Sequence, residues 1–219
     1  MTKRLPGSIN FIGLIGIMSL TLQPVHAAKL PPLLQEVEAK YARATTLEAD
    51  FSQINVVSAL KRTKTSSGHI QFKRPDKIRW ETVKPDPNLL VSDGKKFWFY
   101  TPPFDEGEQG QVIEKKTSEV QTKFAHALLS GSFSIARNMK VKQEKPSRFA
   151  LIPKKGTAGT VIRAEIEVDP GEKLIKKVIL SHRDGNRSEI SLSAIKLGEP
   201  LEDRLFNFVP PPDTDVIKE

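Results

Sequence analysis

Apolar and polar residues alternate with a period of two along most of this chain, and that pattern predicts β-strands. Between Gly68 and Tyr100 four such runs follow one another. Turn motifs separate them, including Pro75-Asp76 and the two-residue hairpin signal Asp93-Gly94. The stretch is therefore predicted to be an antiparallel meander.

Arg74 is an exception to the alternation, because it falls on the apolar side of its strand together with Ile70 and Phe72. A guanidinium keeps its charge and has five hydrogen-bond donors, so apolar surroundings are costly unless acceptors are present. The phase alone leaves two interpretations open. Arg74 lies in solvent or in a salt bridge at a strand end, or it lies at the mouth of a cavity and holds a movable element.

Two segments show the helical period instead. The first follows Pro31-Pro32, and its apolar stripe consists of Leu33, Leu34, Val37 and Tyr41. The second begins at a capping box of Ser118 and Gln121, and its stripe consists of Val120, Phe124, Ala127 and Leu128. The polar stretch 61–67 is expected to be a turn region, and strands dominate again after Phe133. This order predicts an α+β fold in which helices cover a strongly curved antiparallel sheet.

The first 27 residues have the pattern of a cleaved signal peptide. Lys3 and Arg4 form a basic start, Ile9–Leu22 is a short apolar stretch, and Val25-His26-Ala27 is a small-residue cleavage site. We therefore expect an exported protein in which residues 28–219 form a single domain. An uncleaved membrane anchor is the alternative for this segment.

The composition excludes several classes of chemistry. The chain has no cysteine, which excludes disulfides, thiolate catalysis and the lipidated cysteine of an anchored lipoprotein. His69, His126 and His182 are isolated in the sequence, and no hydrolase, metalloprotease or nucleotide-binding motif is present. The net charge of +8 comes from dispersed basic residues, which do not suggest a nucleic-acid surface. We therefore predict a binding protein and no enzyme, with no catalytic residues, metal site or cofactor.

Several motifs in the chain resemble those of LolA, the family of periplasmic carriers that move acylated lipoproteins to the outer membrane of Gram-negative bacteria. The motifs occur in family order over most of the region after the leader. They are Phe51-Ser52-Gln53, Ser67-Gly68, Lys73-Arg74-Pro75 with Trp80, Val91-Ser92-Asp93-Gly94-Lys95 with Trp98 and Tyr100, and Phe206-Asn207-Phe208-Val209-Pro210. One position departs from the family, because Ile78 stands where the family has an aromatic residue four positions after the arginine.

The resemblance implies an incomplete barrel with a helical lid over an apolar cavity. Arg74 occupies the position of the family's latch arginine, which hydrogen-bonds backbone carbonyls of the lid in the closed, empty state. The residues expected to line the acyl cavity, for which ordinary core packing is the other interpretation, are Phe72, Ile78, Trp80, Leu90, Phe97, Trp98, Phe99 and Tyr100, with Phe124 and Leu128 closing it.

The resemblance also implies partners and a location. Acylated lipoproteins would be the cargo, an inner-membrane ABC-type complex would release them, and an outer-membrane receptor lipoprotein similar to LolB would accept them. The carrier would be a monomer in the periplasm. Two alternatives are a periplasmic lipid-responsive regulatory protein of the same fold and an exported binder of phospholipid or glycolipid.

Overall fold

The computed structural model describes residues 30–105, 107–116, 139–154 and 159–218, which comprise one α-helix, two short 3-10 helices and one sheet. The helix α1 spans Pro32–Arg43. The 3-10 helices are Ser58–Leu60 and Asp203–Phe206. The strands are β1 (Thr46–Val57), β2 (Arg62–Lys73), β3 (Lys77–Lys84), β4 (Asn88–Asp93), β5 (Lys96–Thr101), β6 (Gly110–Lys116), β7 (Met139–Lys145), β8 (Arg148–Pro153), β9 (Val161–Asp169), β10 (Leu174–His182), β11 (Arg187–Leu197) and β12 (Thr214–Lys218).

The described strands form one open, curved sheet. Their order is β12-β6-β5-β4-β3-β2-β1-β11-β10-β9-β8-β7, and the two outer strands do not pair with each other. Register shifts interrupt the pairing of β1 with β11, β2 with β3 and β9 with β10. Such bulges bend a strand and increase its twist, which accounts for the curvature.

One face of the sheet packs with α1, and we call it the inner face. Leu34, Val37 and Tyr41 of the helix are buried, as the predicted stripe required. They join a single core cluster with alternate residues of the sheet, which include Leu47, Ala49, Phe51, Ile70, Phe72, Ala164, Ile166, Val178, Leu180, Ile190 and Leu192. The inner face of the strands from β1 to β3 and from β7 to β11 therefore contributes to one core.

The opposite, outer face is covered near β4–β6 by the segment that follows β11. We call residues 198–213 the C-terminal strap. Phe208 of this strap contacts Trp98 and Tyr100, with ring centroids 6.3 Å and 5.6 Å apart respectively. The strap leads into β12, which pairs with β6 in parallel. The aromatic strand β5 is thus apolar on both faces because one of them receives the strap.

The sequence-based predictions need three corrections of detail in the described residues. The polar stretch 61–67 is largely strand, because β2 begins at Arg62 and continues the hairpin with β1 beyond the end of β3. The sheet is not wholly antiparallel, because β12 pairs with β6 in parallel. The run Phe97–Tyr100, apolar on both faces, predicts a strand with a helix on one side, but in the structure the strap covers that side of β5. The predicted signal peptide and the second helix lie outside the described residues.

Asp203 fixes the start of the strap to the turn between β2 and β3. Its Oδ1 atom lies 2.8 Å from Nζ of Lys73 and 2.9 Å from Nζ of Lys77. The hydrogen bonds from these two ammonium groups lower the pKa of the Asp203 carboxyl from its ordinary value of 3.8 to about 2. The carboxylate therefore stays ionised over nearly the whole acid range.

A β-bulge at Gly68 brings the backbone of β3 against β2. A Cβ atom at Gly68 would lie 1.8 Å from the carbonyl oxygen of Glu81, a backbone atom that cannot rotate away. The rings of Phe51 and Trp80, on the strands on either side of β2, meet with centroids 4.8 Å apart. We infer that glycine is required here because the backbone of β3 approaches too closely for a side chain.

We predict that Gly68→Ala destabilises the protein by at least about 3 kcal/mol, the upper end of typical overpacking costs, since the clash is with backbone. Gly171→Ala is the matched control. Its Cβ would lie 3.3 Å from Oδ1 of the Asp169 side chain, so its effect should stay within about 1 kcal/mol. Urea unfolding measures both changes, and equal midpoints for the two variants would contradict the account.

We predict an acid-dependent difference between Asp203→Asn and the wild type. Because the folded-state pKa is depressed, the carboxylate stabilises the fold fully above pH 3.8 and loses this effect as the pH falls toward about 2. The variant should have a lower Tm near neutral pH, and the gap should close toward about pH 2. Glu202→Gln removes the same charge one residue earlier, where the pairing is with Arg204 of the same turn, and should show no such convergence.

Candidate functional site

Six of the predicted lining residues lie together on the inner face of β2–β5. The register places Phe72 opposite Ile78, and Ile78 in turn opposite Ser92, whose partner on β5 is Phe97. A second row runs beside it and consists of Ile70, Trp80, Leu90, Phe99 and Ile113. Directly paired residues point to the same side of a sheet. The structure therefore brings Phe72, Ile78, Trp80, Leu90, Phe97 and Phe99 to one surface.

The second row of this surface becomes more exposed from β2 toward β5, whereas the first row is buried throughout. In the second row Ile70 is fully buried in the core beneath α1, and Phe99 is 36% exposed. Trp80 and Leu90 are partly buried and pack against the edge of that core. An apolar surface that continues out of a packed core in this way offers contact area to an apolar ligand.

Trp98 and Tyr100 do not belong to this surface, which corrects the predicted lining. They are in the opposite phase to Phe97 and Phe99, so they point to the outer face. Trp98 joins a separate cluster with Val91 and Val112, against which Phe208 packs. The indole Nε1 of Trp98 also donates to Oε2 of Glu114 at 3.1 Å. Their role in the described residues is to bind the strap.

Arg74 lies at the C-terminal end of α1 and donates to backbone carbonyls there. Its Nε donates to the oxygen of Ala44 at 2.9 Å, and one terminal nitrogen donates to the oxygen of Tyr41 at 3.1 Å. Its own backbone N–H donates to the oxygen of Thr45 at 2.8 Å. A cation is favourable at a helix C-terminus, where carbonyls lack partners in the helix. Arg74, which the sequence places on the apolar side of its strand, therefore has backbone carbonyl oxygens as hydrogen-bond acceptors.

Tyr41 connects the same helix end to β10. Its hydroxyl accepts a hydrogen bond from the backbone N–H of Ile175 at 3.0 Å in a buried site. Burial raises the pKa of Tyr41 to about 12, so the phenol remains neutral. The carbonyl of Tyr41 meets Arg74 while its side chain meets the opposite half of the sheet. This residue therefore couples the position of the β2–β3 turn to β10.

A groove beside α1 has a charged lining, unlike the apolar surface of β2–β5. The groove has a volume of about 600 Å³ and is lined by Glu36, Ala39, Lys40, Arg43, Ala44, Lys173, Leu197 and Gly198. Its charged lining does not suit a purely apolar ligand. Within the described ranges, histidine and acidic residues form no group of three that could hold a metal ion. In the same ranges no helix has the length and apolar character that crossing a membrane requires.

Two predicted residues cannot be placed in the structure, and three residues have contacts that the sequence did not predict. Phe124 and Leu128 lie outside the described residues. Conversely, the sequence reasoning did not assign roles to Asp203, Phe208 or the Tyr41 hydroxyl. The alternation of Phe206 and Phe208 was a signal that the C-terminal segment has one buried side, and Phe206 is indeed fully buried. No local signal pointed to Asp203, because its two partners are distant in sequence.

The sequence matches a known protein family and several curated proteins. The family described as Outer membrane lipoprotein carrier protein LolA matches residues 42–209. An outer-membrane lipoprotein carrier protein of Dechloromonas aromatica (strain RCB) is 32% identical over 178 residues, covering 80% of this chain and 82% of that protein. A protein of the same description from Vibrio campbellii (strain ATCC BAA-1116) is 32% identical over 201 residues, covering 91% of each.

Among solved structures, an uncharacterized conserved protein from Thermus thermophilus has a similar fold. The TM-score is 0.50 at 12% identity, and the match covers 85% of this chain and 99% of that one. The matched family region includes Arg74 and the whole inner-face surface of β2–β5. The chain belongs to the LolA family of outer-membrane lipoprotein carrier proteins.

Proposed function

We propose that this protein is a periplasmic carrier that binds the acyl chains of lipoproteins and moves them from the inner to the outer membrane. The observation that carries the proposal is the apolar surface of β2–β5, which extends out of the core to the partly exposed residues Trp80, Leu90 and Phe99. Family membership supports the same role. The protein acts by binding and transfer, and no reaction takes place on the cargo.

The energetics of acyl chains explain why such a carrier needs this surface. Burial of one methylene is worth roughly 0.8 kcal/mol, so an acyl chain of ~16 carbons represents on the order of 12 kcal/mol of unfavourable exposure to water. A lipoprotein with more than one chain therefore needs an apolar cover while it crosses an aqueous compartment. The inner face supplies one wall of that cover, and a helical lid with Phe124 and Leu128 would close the cavity.

Arg74 acts as the latch of this cavity. Its side chain donates to carbonyls at the end of α1, and charge-assisted hydrogen bonds of this kind contribute roughly 1.5–3 kcal/mol each. That energy is enough to favour a closed, empty state, yet small enough for an acyl ligand with higher affinity for an open state to overcome. Release of cargo is then assisted by closure.

The route requires partners at both membranes. An inner-membrane ABC-type complex would supply the energy that loads the carrier, and an outer-membrane receptor lipoprotein with higher affinity would unload it. The first 27 residues would direct export and be removed, leaving a monomeric carrier domain of residues 28–219. The alternative of a lipid-responsive regulator is not favoured, since carrier proteins match the chain along 80% and 91% of its length.

We predict that Arg74→Leu still binds a triacylated lipopeptide but releases it at least about tenfold more slowly, since about 1.4 kcal/mol of lost closure energy corresponds to a factor of ten. The measurement is transfer of the fluorescent lipopeptide from the loaded protein to an outer-membrane receptor lipoprotein. Arg79→Leu is the matched control, because Arg79 lies on the outer face of β3 and pairs with Glu81 at 2.9 Å. Release from Arg74→Leu at the wild-type rate would refute the latch.

A further inference from the structure

The turn that presents Arg74 contains an electrostatic conflict. Lys73 and Lys77 are direct cross-strand partners at the ends of β2 and β3, on either side of Arg74. Like charges directly opposite one another in a sheet are destabilising. Three cations and one acid, Asp76, therefore lie within five consecutive residues, and the two opposed lysines repel each other across the end of the hairpin.

One carboxylate oxygen resolves this conflict from outside the hairpin. Oδ1 of Asp203 lies 2.8 Å from Nζ of Lys73 and 2.9 Å from Nζ of Lys77, so a single atom bridges both cations. Nζ of Lys73 also donates to the backbone oxygen of Leu201 at 2.7 Å. Two oxygens of the C-terminal strap thus determine the position of Lys73, the residue immediately before Arg74.

The position of Asp203 is set by the burial of a neighbouring residue, Phe206. Asp203 opens the 3-10 helix that ends at Phe206, and Phe206 is fully buried. Farther back, the strap is joined to β1, because the N–H of Gly198 donates to the oxygen of Thr46 and the Thr46 hydroxyl donates to the oxygen of Glu199. The carboxylate is therefore held by the strap and by β1, independently of the turn that it stabilises.

We propose that Asp203 is a positioning residue for Arg74: by bridging Lys73 and Lys77 it relieves their repulsion, which keeps the β2–β3 turn closed and the guanidinium within reach of the carbonyls of α1. The C-terminal strap thus supplies the counter-charge for the turn that presents the latch arginine. The functional part of this inference rests on the proposed role of Arg74 in cargo release. The structural part does not, since it concerns only the hydrogen bond from Arg74 to Ala44.

The test is solvent exchange of the Arg74 Nε–H proton, followed by NMR in the mature protein and assigned by its absence in Arg74→Lys. Removing the bridge leaves two opposed cations. We expect exchange about fivefold faster in Asp203→Asn, which corresponds to the upper end of the energies of cross-strand pairs. Glu202→Gln should leave the rate unchanged. The triple variant Asp203→Asn, Lys73→Gln, Lys77→Gln should restore slow exchange, because it removes the repulsion along with the bridge.

The triple variant separates positioning from general stability. If it exchanges as fast as Asp203→Asn, the carboxylate only supports folding of the strap and the inference is overturned. Unchanged exchange in Asp203→Asn overturns it as well. Slow exchange in the triple variant, together with fast exchange in Asp203→Asn, supports the inference.

Lipopeptide release from the same variants distinguishes this inference from the proposed function. Asp203→Asn should slow release in the same direction as Arg74→Leu, and the triple variant should recover. If Arg74→Leu releases normally, the latch fails whatever the exchange data show. If Arg74→Leu is slow while Asp203→Asn has normal exchange and normal release, only the positioning role of Asp203 fails.

Discussion

The two apolar faces of β4 and β5 are the constraint on which the rest of this structure depends. In a strand, successive side chains point to opposite sides, so Phe97 and Phe99 face inward while Trp98 and Tyr100 face outward. Neither face could remain wholly in water without a cost of roughly 25 cal/mol for each Å² of apolar area. The C-terminal strap covers the outer face through Phe208. On the inner face of β5, Phe97 is buried and Phe99 is 36% exposed.

The end of α1 is joined by polar contacts to both halves of the sheet. The Tyr41 hydroxyl binds β10, and its carbonyl binds Arg74 on the other side of β1. Arg74 in turn follows Lys73, which the strap holds through Asp203 and Leu201. Helix, turn and strap are therefore linked by a few polar contacts placed around an apolar surface. Such contacts are directional, and each contributes only a modest net free energy.

Local patterns in the sequence predicted much of this architecture. The alternation from Gly68 to Tyr100 and the Asp93-Gly94 signal correspond to the observed hairpins of β2–β5, where Gly94 adopts a φ of +95°. The stripe of Leu34, Val37 and Tyr41 predicted α1 correctly. These features depend on residues close together in sequence, for which periodicity and turn chemistry are sufficient.

What periodicity could not predict depends on contacts between distant segments. The strap reaches Trp98 and Lys73 from more than a hundred residues away, so the outward role of Trp98 and the role of Asp203 had no local signal. The polar composition of 61–67 suggested a turn, yet residues 62–67 pair with β1 and form part of β2. Tertiary pairing overrode the local preference in that segment.

The central claim, that acyl chains bind on the inner face, is tested most directly with the two tryptophans of the chain, Trp80 and Trp98. A triacylated lipopeptide with brominated acyl chains quenches only an indole in its immediate neighbourhood. We expect strong quenching in Trp98→Phe, where Trp80 alone reports, and little in Trp80→Phe, where Trp98 reports from beneath the strap. A non-acylated peptide of the same sequence should quench neither. Equal quenching of both tryptophans, or quenching of Trp98 alone, would contradict the account.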